Sequence, residues 1–259
     1  MQNTKTATQI ALAMMAIFSG CATTHGLDAK DPWEEWNRST QSFNDGFDDY
    51  VMKPVAKSYD RFMPDIAHHA VSNFFSNIDD IDVFINDALQ GKFSQSGMDG
   101  ARFLVNSTAG IAGIIDVGDM LDLPKHNEDF DQTLGVWGMS AGPYLVLPFF
   151  GPSSPRGVAG LIGDAAVNPI SYTGFIFSSS LTAYAVSGGL GALKSIDSRA
   201  NNLGLDKVIN EAEIDRYEFL KSAYIERRNY LIHDGNISTD DVLKYDQLKF
   251  NELGPISPF

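Results

Sequence analysis

The five residues Gly138-Met139-Ser140-Ala141-Gly142 have the form Gly-x-Ser-x-Gly. In a hydrolase that pattern is a nucleophile elbow, where a strand turns sharply into a helix and presents the serine hydroxyl for attack on an acyl carbon. The neighbouring residues argue against the elbow. Pro143 follows the second glycine, and Tyr144 to Leu147 are apolar and extended in character where a helix is required. A triad in the order Ser, acid, His leaves only His233, in the last turn before a glycine, and no His-Gly-Gly-Gly oxyanion sequence is present. A membrane-anchored serine phospholipase using Ser140 stays as the alternative reading. The principal expectation is a protein that is not an enzyme.

Metal and phosphate chemistry fare no better. His68 and His69 are adjacent, so on a helix they point about 100° apart and cannot share an ion. His25 and His126 stand far from them with no zinc spacing. The run Asp79-Asp80-Ile81-Asp82 lacks the glycine and terminal glutamate of a calcium loop and reads as a solvated helix face. No Gly-Lys-Ser/Thr follows a glycine cluster. Neither a metal nor a cofactor is expected.

Cys21 is a different matter. It is the only cysteine, and it follows Lys5, an apolar stretch from Ile10 to Phe18, and the small pair Ser19-Gly20. That is a secretory signal too short to span a bilayer, and Phe18-Ser19-Gly20-Cys21 resembles a bacterial lipobox. Cleavage before Cys21 leaves its thiol and amine to carry acyl chains, each buried methylene contributing about 0.8 kcal/mol of membrane affinity. Ala22 rather than Asp follows, which favours the outer membrane over retention at the inner one. The net charge of −14 becomes −15 without Lys5. Such a surface repels nucleic acid and anionic headgroups, so attachment must come from apolar burial.

The elements that carry these residues are helical in period. Phe43, Phe47, Tyr50 and Val51 make one stripe, ended by Pro54; Ile66, Ala70, Val71 and Phe74 make a second; Ile78, Ile81, Ile85, Ala88 and Leu89 make a third. Each is expected to face a core. Tyr217, Leu220 and Tyr224 share a face of a last helix, with Asp215 and Glu218 early, Arg227 and Arg228 late, and Gly235 beyond. Residues 1–20 read as signal peptide, 21–30 as lipidated tether, 31–235 as a mostly α domain and 236–259 as a tail.

The centre of the chain departs from the rest. Between Gln132 and Leu193 only Arg156 and Asp164 are charged, in a chain that is 20% charged. Such a stretch is buried or faces lipid. Glycines and prolines break its first half, and Asn168-Pro169, Ser178-Ser179-Ser180 and Gly188-Gly189 weaken its second half as a membrane span. The composition points to a domain lodged in one leaflet.

Several segments then resemble one family, the MlaA (VacJ) phospholipid-transport lipoproteins. They are Asp31-Pro32-Trp33-Glu34-Glu35-Trp36-Asn37-Arg38 with Phe43-Asn44, Lys53-Pro54-Val55-Ala56, Asn86 to Lys92, and Arg102-Phe103 to Asn106. The most specific block runs from Glu128 through Gly135 and Gly142-Pro143-Tyr144-Leu145-Val146-Leu147-Pro148 to Gly151-Pro152-Ser153-Ser154-Pro155-Arg156. The resemblance implies a single ring-like domain of short helices in the inner leaflet of the outer membrane, with an amphipathic central channel. It implies removal of phospholipids mislocalised to the outer leaflet, delivery to the periplasmic carrier MlaC, and a trimeric porin as neighbour. Composition and position in the block nominate Tyr144, Leu145, Val146, Leu147, Phe149 and Phe150 as channel walls for acyl chains. Ser140 and the backbone at Gly138, Gly142 and Pro143 are nominated to meet the headgroup.

Overall fold

A computed structural model describes residues 31–172, 180–206 and 215–236. The signal peptide, Cys21 and nearly all of the expected tail lie outside the described residues. In chain order the elements are α1 (Glu34–Phe47), a π turn (Asp48–Met52), α2 (Lys53–Phe62), α3 (Asp65–Leu89), α4 (Phe93–Thr108), α5 (Val117–Met120) and α6 (Phe130–Val136). A hairpin of β1 (Leu145–Leu147) and β2 (Gly151–Ser153) follows, then α7 (Pro155–Val167), a 3-10 turn (Pro169–Tyr172), α8 (Ser180–Asn201) and α9 (Arg216–Ile232). The strands pair antiparallel, Val146 opposite Pro152.

Local chemistry sets several boundaries. Asp116, Asp129, Ser154 and Asp215 each cap a helix by accepting a hydrogen bond from a first-turn N–H. Pro155 occupies the first turn of α7, where its missing N–H costs nothing. Pro54 does not end the first stripe as expected. It falls in the first turn of α2, and the five-residue π turn before it carries the helix onward.

Packing closes these elements into a circuit. α1 lies against β1, β2 against α7, α7 against α3, α3 against α8, α8 against α2, and α2 returns through the π turn to α1. That is a ring. α4 packs along α3 outside the circuit, and α6 and α9 brace α7 and β2. Among the described residues no helix is long and apolar enough to cross a membrane.

The distribution of side chains is inverted relative to a water-soluble domain. Among the described residues nine apolar side chains are buried, against twenty polar or charged ones, while large hydrophobics including Trp36, Phe62, Phe93, Leu104, Ile111, Met120, Leu161, Ile162 and Leu181 are exposed. The stripes expected to face a core do not. Tyr50 is 86% exposed, Ile66 87%, and Phe43 and Val51 are also outside. On α3 the buried face is Asn77, Asp80, Val83, Asn86 and Asp87, and the isoleucine stripe is only half-covered. The acidic run is not a solvated face either, since Asp80 is fully buried. It receives Lys125 and lies 3.7 Å from Arg102. Hydrogen bonds and ion pairs between buried polar side chains hold the joints of the ring. Apolar periodicity here marks the outside.

Candidate functional site

Among the described residues the hairpin is the one extended element, and two asparagines hold it. Asn37 and Asn44 sit seven residues apart on one face of α1. Asn37 Nδ2 donates to the Tyr144 carbonyl at 2.9 Å, and its Oδ1 accepts from the Val146 N–H at 2.8 Å. Asn44 repeats the pattern, donating to the Leu147 carbonyl at 2.9 Å and accepting from the Phe149 N–H at 2.8 Å. Their side chains replace the third strand that β1 lacks. Asn44 thereby helps hold Phe149 in the left-handed region, at φ 67°. The Phe149 ring meets Phe43 and Phe47 edge-on, with centroids 5.2 and 5.1 Å apart.

A second layer backs this arrangement. The Tyr217 hydroxyl donates to Asp31 Oδ2 at 2.6 Å and accepts from Asn37 Nδ2 at 3.2 Å. Lys221 Nζ donates to the same Asp31 oxygen at 3.0 Å. The Tyr144 ring lies 5.8 Å from those of Tyr217 and Tyr224. Burial raises the hydroxyl pKa values of Tyr144 and Tyr217, reinforced by Asp31, so both stay neutral.

Among the described residues, elements of the circuit line two adjoining cavities. The larger, about 830 Å³, has the hairpin as its apolar wall: Tyr144, Val146, Phe149 and Phe150, with Phe47, Met52, Ile196 and Leu220. Its polar side contains Asn44, Asp48, Arg199 and Asp206. Arg199 reaches both Asp48 oxygens at 2.7 Å and both Asp206 oxygens at 2.9 Å, tying α8 to the π turn. The second, about 770 Å³, is lined by Asp79, Asp82 and Asp164, with Arg227, Arg228, Tyr224 and Leu231. Pro152 and Lys194 belong to both linings, so the cavities adjoin. Each is of ligand-binding size.

The acidic cavity is poised near neutrality. Burial, then Asp79 and Asp164, push Asp82 from 3.8 up to about 7; burial and Asp129 push Asp164 up to about 6. A carboxyl whose folded pKa is raised binds protons more tightly in the fold than in the unfolded chain. Its effect on stability is therefore most favourable below about pH 4 and declines as pH rises through about 7. Asp82→Asn removes that decline. The variant should unfold at a higher temperature than the parent at pH 8, with the gap shrinking toward pH 5. A gap of equal size at both pH values would refute the assignment.

The nominated residues divide. Tyr144, Val146, Phe149 and Phe150 meet at the larger cavity, whereas Leu145 and Leu147, alternating along β1, are half-buried outside both linings. Gly138, Ser140, Gly142 and Pro143 also lie outside both linings, in the connection from α6 to β1. Ser140 is exposed and follows a helix rather than a strand. His233 Nδ1 lies 2.8 Å from the Asn229 carbonyl at the end of its own helix. The connection is instead tied down by Arg156, whose N–H and Nη1 donate to the carbonyls of Ala141 and Met139 at 3.2 and 3.0 Å. Arg156 Nε donates to buried Asp131 at 2.6 Å, and Arg228 Nε approaches the other Asp131 oxygen at 3.1 Å. Gly142 has φ 77°, and a Cβ there would approach the Pro155 ring to 3.0 Å. Sequence reasoning assigned no role to Asn37, Asn44, Asp82 or Arg199. Asn37 and Asn44, one heptad apart inside the Asp31–Asn44 block, were the available signal for a shared face.

A ring of helices with polar joints, many exposed hydrophobics and adjoining open cavities defines the class: a helical ring built around a binding space. The comparisons give the family. A family model described as MlaA lipoprotein matches residues 29–231. The chain is 31% identical over 229 residues to the intermembrane phospholipid transport system lipoprotein MlaA of Escherichia coli (strain K12), covering 86% of this chain and 87% of that protein. Against the Haemophilus influenzae lipoprotein of the same description it is 28% identical over 254 residues, covering 93% and 98%. It also matches a chain of the solved structure "Structural basis for maintenance of bacterial outer membrane lipid asymmetry", with TM-score 0.68 and 29% identity, covering 78% of this chain and 98% of that one. The chain belongs to the MlaA lipoprotein family.

Proposed function

We propose that this chain is an outer-membrane lipoprotein that takes mislocalised phospholipid from the outer leaflet and passes it to a periplasmic carrier, maintaining lipid asymmetry without making or breaking a bond. The observation that carries the reading is the pair of adjoining cavities inside a ring whose outer surface is apolar. Exposing the roughly thirty methylenes of a phospholipid to water costs about 25 kcal/mol at about 0.8 kcal/mol each. Taking its headgroup through hydrocarbon is costly as well. An aromatic wall opposite a charged one lowers both barriers at once, the hairpin meeting acyl chains and the Arg199 and Lys194 side meeting water and headgroup.

Cys21 supplies the anchor in this reading, and the exposed hydrophobics of the ring sit in the periplasm-facing leaflet. The carrier MlaC and a trimeric porin as partners rest on the family resemblance. Deleting the gene should raise surface-exposed phospholipid and detergent sensitivity. A Ser140→Ala copy should restore both to the parental level, since Ser140 lies outside the cavities. Failure to rescue, together with loss of free fatty acid release, would replace transport by hydrolysis.

A further inference from the structure

Away from both cavities, the end of α3, the first half of α4 and the segment leading to α6 bring together Asp87, Asp99 and His126. One donor atom from each lies within 4.8 Å of the others. His126 Nδ1 is 2.9 and 3.1 Å from the two Asp99 carboxylate oxygens. Donor atoms bound at about 2.1 Å around one ion stand about 3.0–3.4 Å apart, so this spacing suits adjacent ligands. Both carboxylates are fully buried, whereas the His126 ring is 24% exposed and leaves an approach from solvent.

Asp87 makes the cluster more than a salt bridge. Neither of its buried carboxylate oxygens has a hydrogen-bond partner. The nearest ammonium, on Lys92, is directed to Glu128 at 2.9 Å and to Asp234. Two buried carboxylates beside one imidazole repel one another unless a proton or a cation lies between them, and a buried charge without a partner is strongly disfavoured.

We infer that Asp87, Asp99 and His126 form a binding site for a divalent transition ion, zinc above all, with water completing its coordination. One nitrogen and two carboxylate donors suit zinc or manganese, whereas magnesium and calcium prefer oxygen throughout. The ion would clamp the segment before α6 onto the α3–α4 hairpin. Glu128 and the α6 cap Asp129 follow His126 closely, so the clamp would fix the start of α6 against the ring. This inference does not depend on lipid transport.

The test uses the full-length lipidated protein, purified in detergent without a polyhistidine tag and stripped with EDTA. Zinc chloride should restore one ion per chain, measured by elemental mass spectrometry, and raise the thermal midpoint by about 5 °C or more at saturation. Magnesium chloride at the same concentration should leave the midpoint unchanged. Asp87→Asn and His126→Gln should each weaken zinc binding by about 100-fold or more. If the parent takes up no zinc at about 1 mM, a concentration far above any structural-site Kd, the carboxylates merely share a proton and the site is refuted. Retention of zinc at parental affinity in the double variant would equally refute it, placing the ion elsewhere. The parental titration decides even if a variant fails to fold.

Discussion

Phe149→Asp should leave the chain folded and abolish clearance of surface phospholipid. Phe149 is 64% exposed and Phe150 73%, so a carboxylate at either position stays hydrated in the resting protein. Aspartate also tolerates the positive φ of position 149 better than phenylalanine does. The damage falls on the passenger. Each passing acyl chain would have to desolvate a charge in the apolar wall, at a cost of several kcal/mol. Slowing of about 100-fold or more follows from that barrier. Phe150→Asp should behave similarly. Leu145→Asp, on the opposite side of β1 and outside both cavity linings, should affect transport less. The measurement is surface phospholipid in a deletion strain complemented with each variant at matched protein level. Full rescue by both phenylalanine variants would remove the hairpin from the lipid route.

Asn37→Ala should cost more stability than any other single substitution at the hairpin. Asn37 is fully buried, and one side chain satisfies the Tyr144 carbonyl, the Val146 N–H and the Tyr217 hydroxyl. Alanine therefore leaves two buried backbone groups without partners, at about 1–3 kcal/mol each, and opens a small void. The expected loss is about 3–5 kcal/mol, or about 10 °C in the thermal midpoint. Asn44→Ala, at a half-buried site, should cost less. Asn37→Asp should not rescue, because it replaces a donor with a charge in the neighbourhood of Asp31. Unfolding in detergent gives the comparison. An Asn37→Ala loss below about 1 kcal/mol would mean the hairpin is held by its own packing instead.

Both predictions concern residues that were only partly legible in the chain. The aromatic run from Tyr144 to Phe150 stood out because so little charge surrounds it, and four of its members reach one cavity. Leu145 and Leu147 do not, because a strand sends alternate side chains to opposite sides. The glycine-rich segment around Ser140 drew attention as possible chemistry, yet its carbonyls serve Arg156, 15 and 17 residues away. The apolar stripes were read correctly as helical, but none of their members is fully buried and five are exposed. Periodicity reports that one face differs from the other; it does not report which solvent each face meets.

The chain by itself determined the helical class, the start of the last helix at Asp215 and the break of the uncharged centre at Asn168-Pro169. These depend on neighbours a few residues apart, whose chemistry is local. Only the tertiary structure decided that Asn37 meets Val146, that Asp80 is buried with Lys125 and near Arg102, and that Asp87, Asp99 and His126 converge. Those pairings span tens of residues, up to 109 for Asn37 and Val146. They arise because the helices of this ring bury polar faces against one another. That preference reverses the rule by which a soluble sequence is read, and no local pattern announces the reversal.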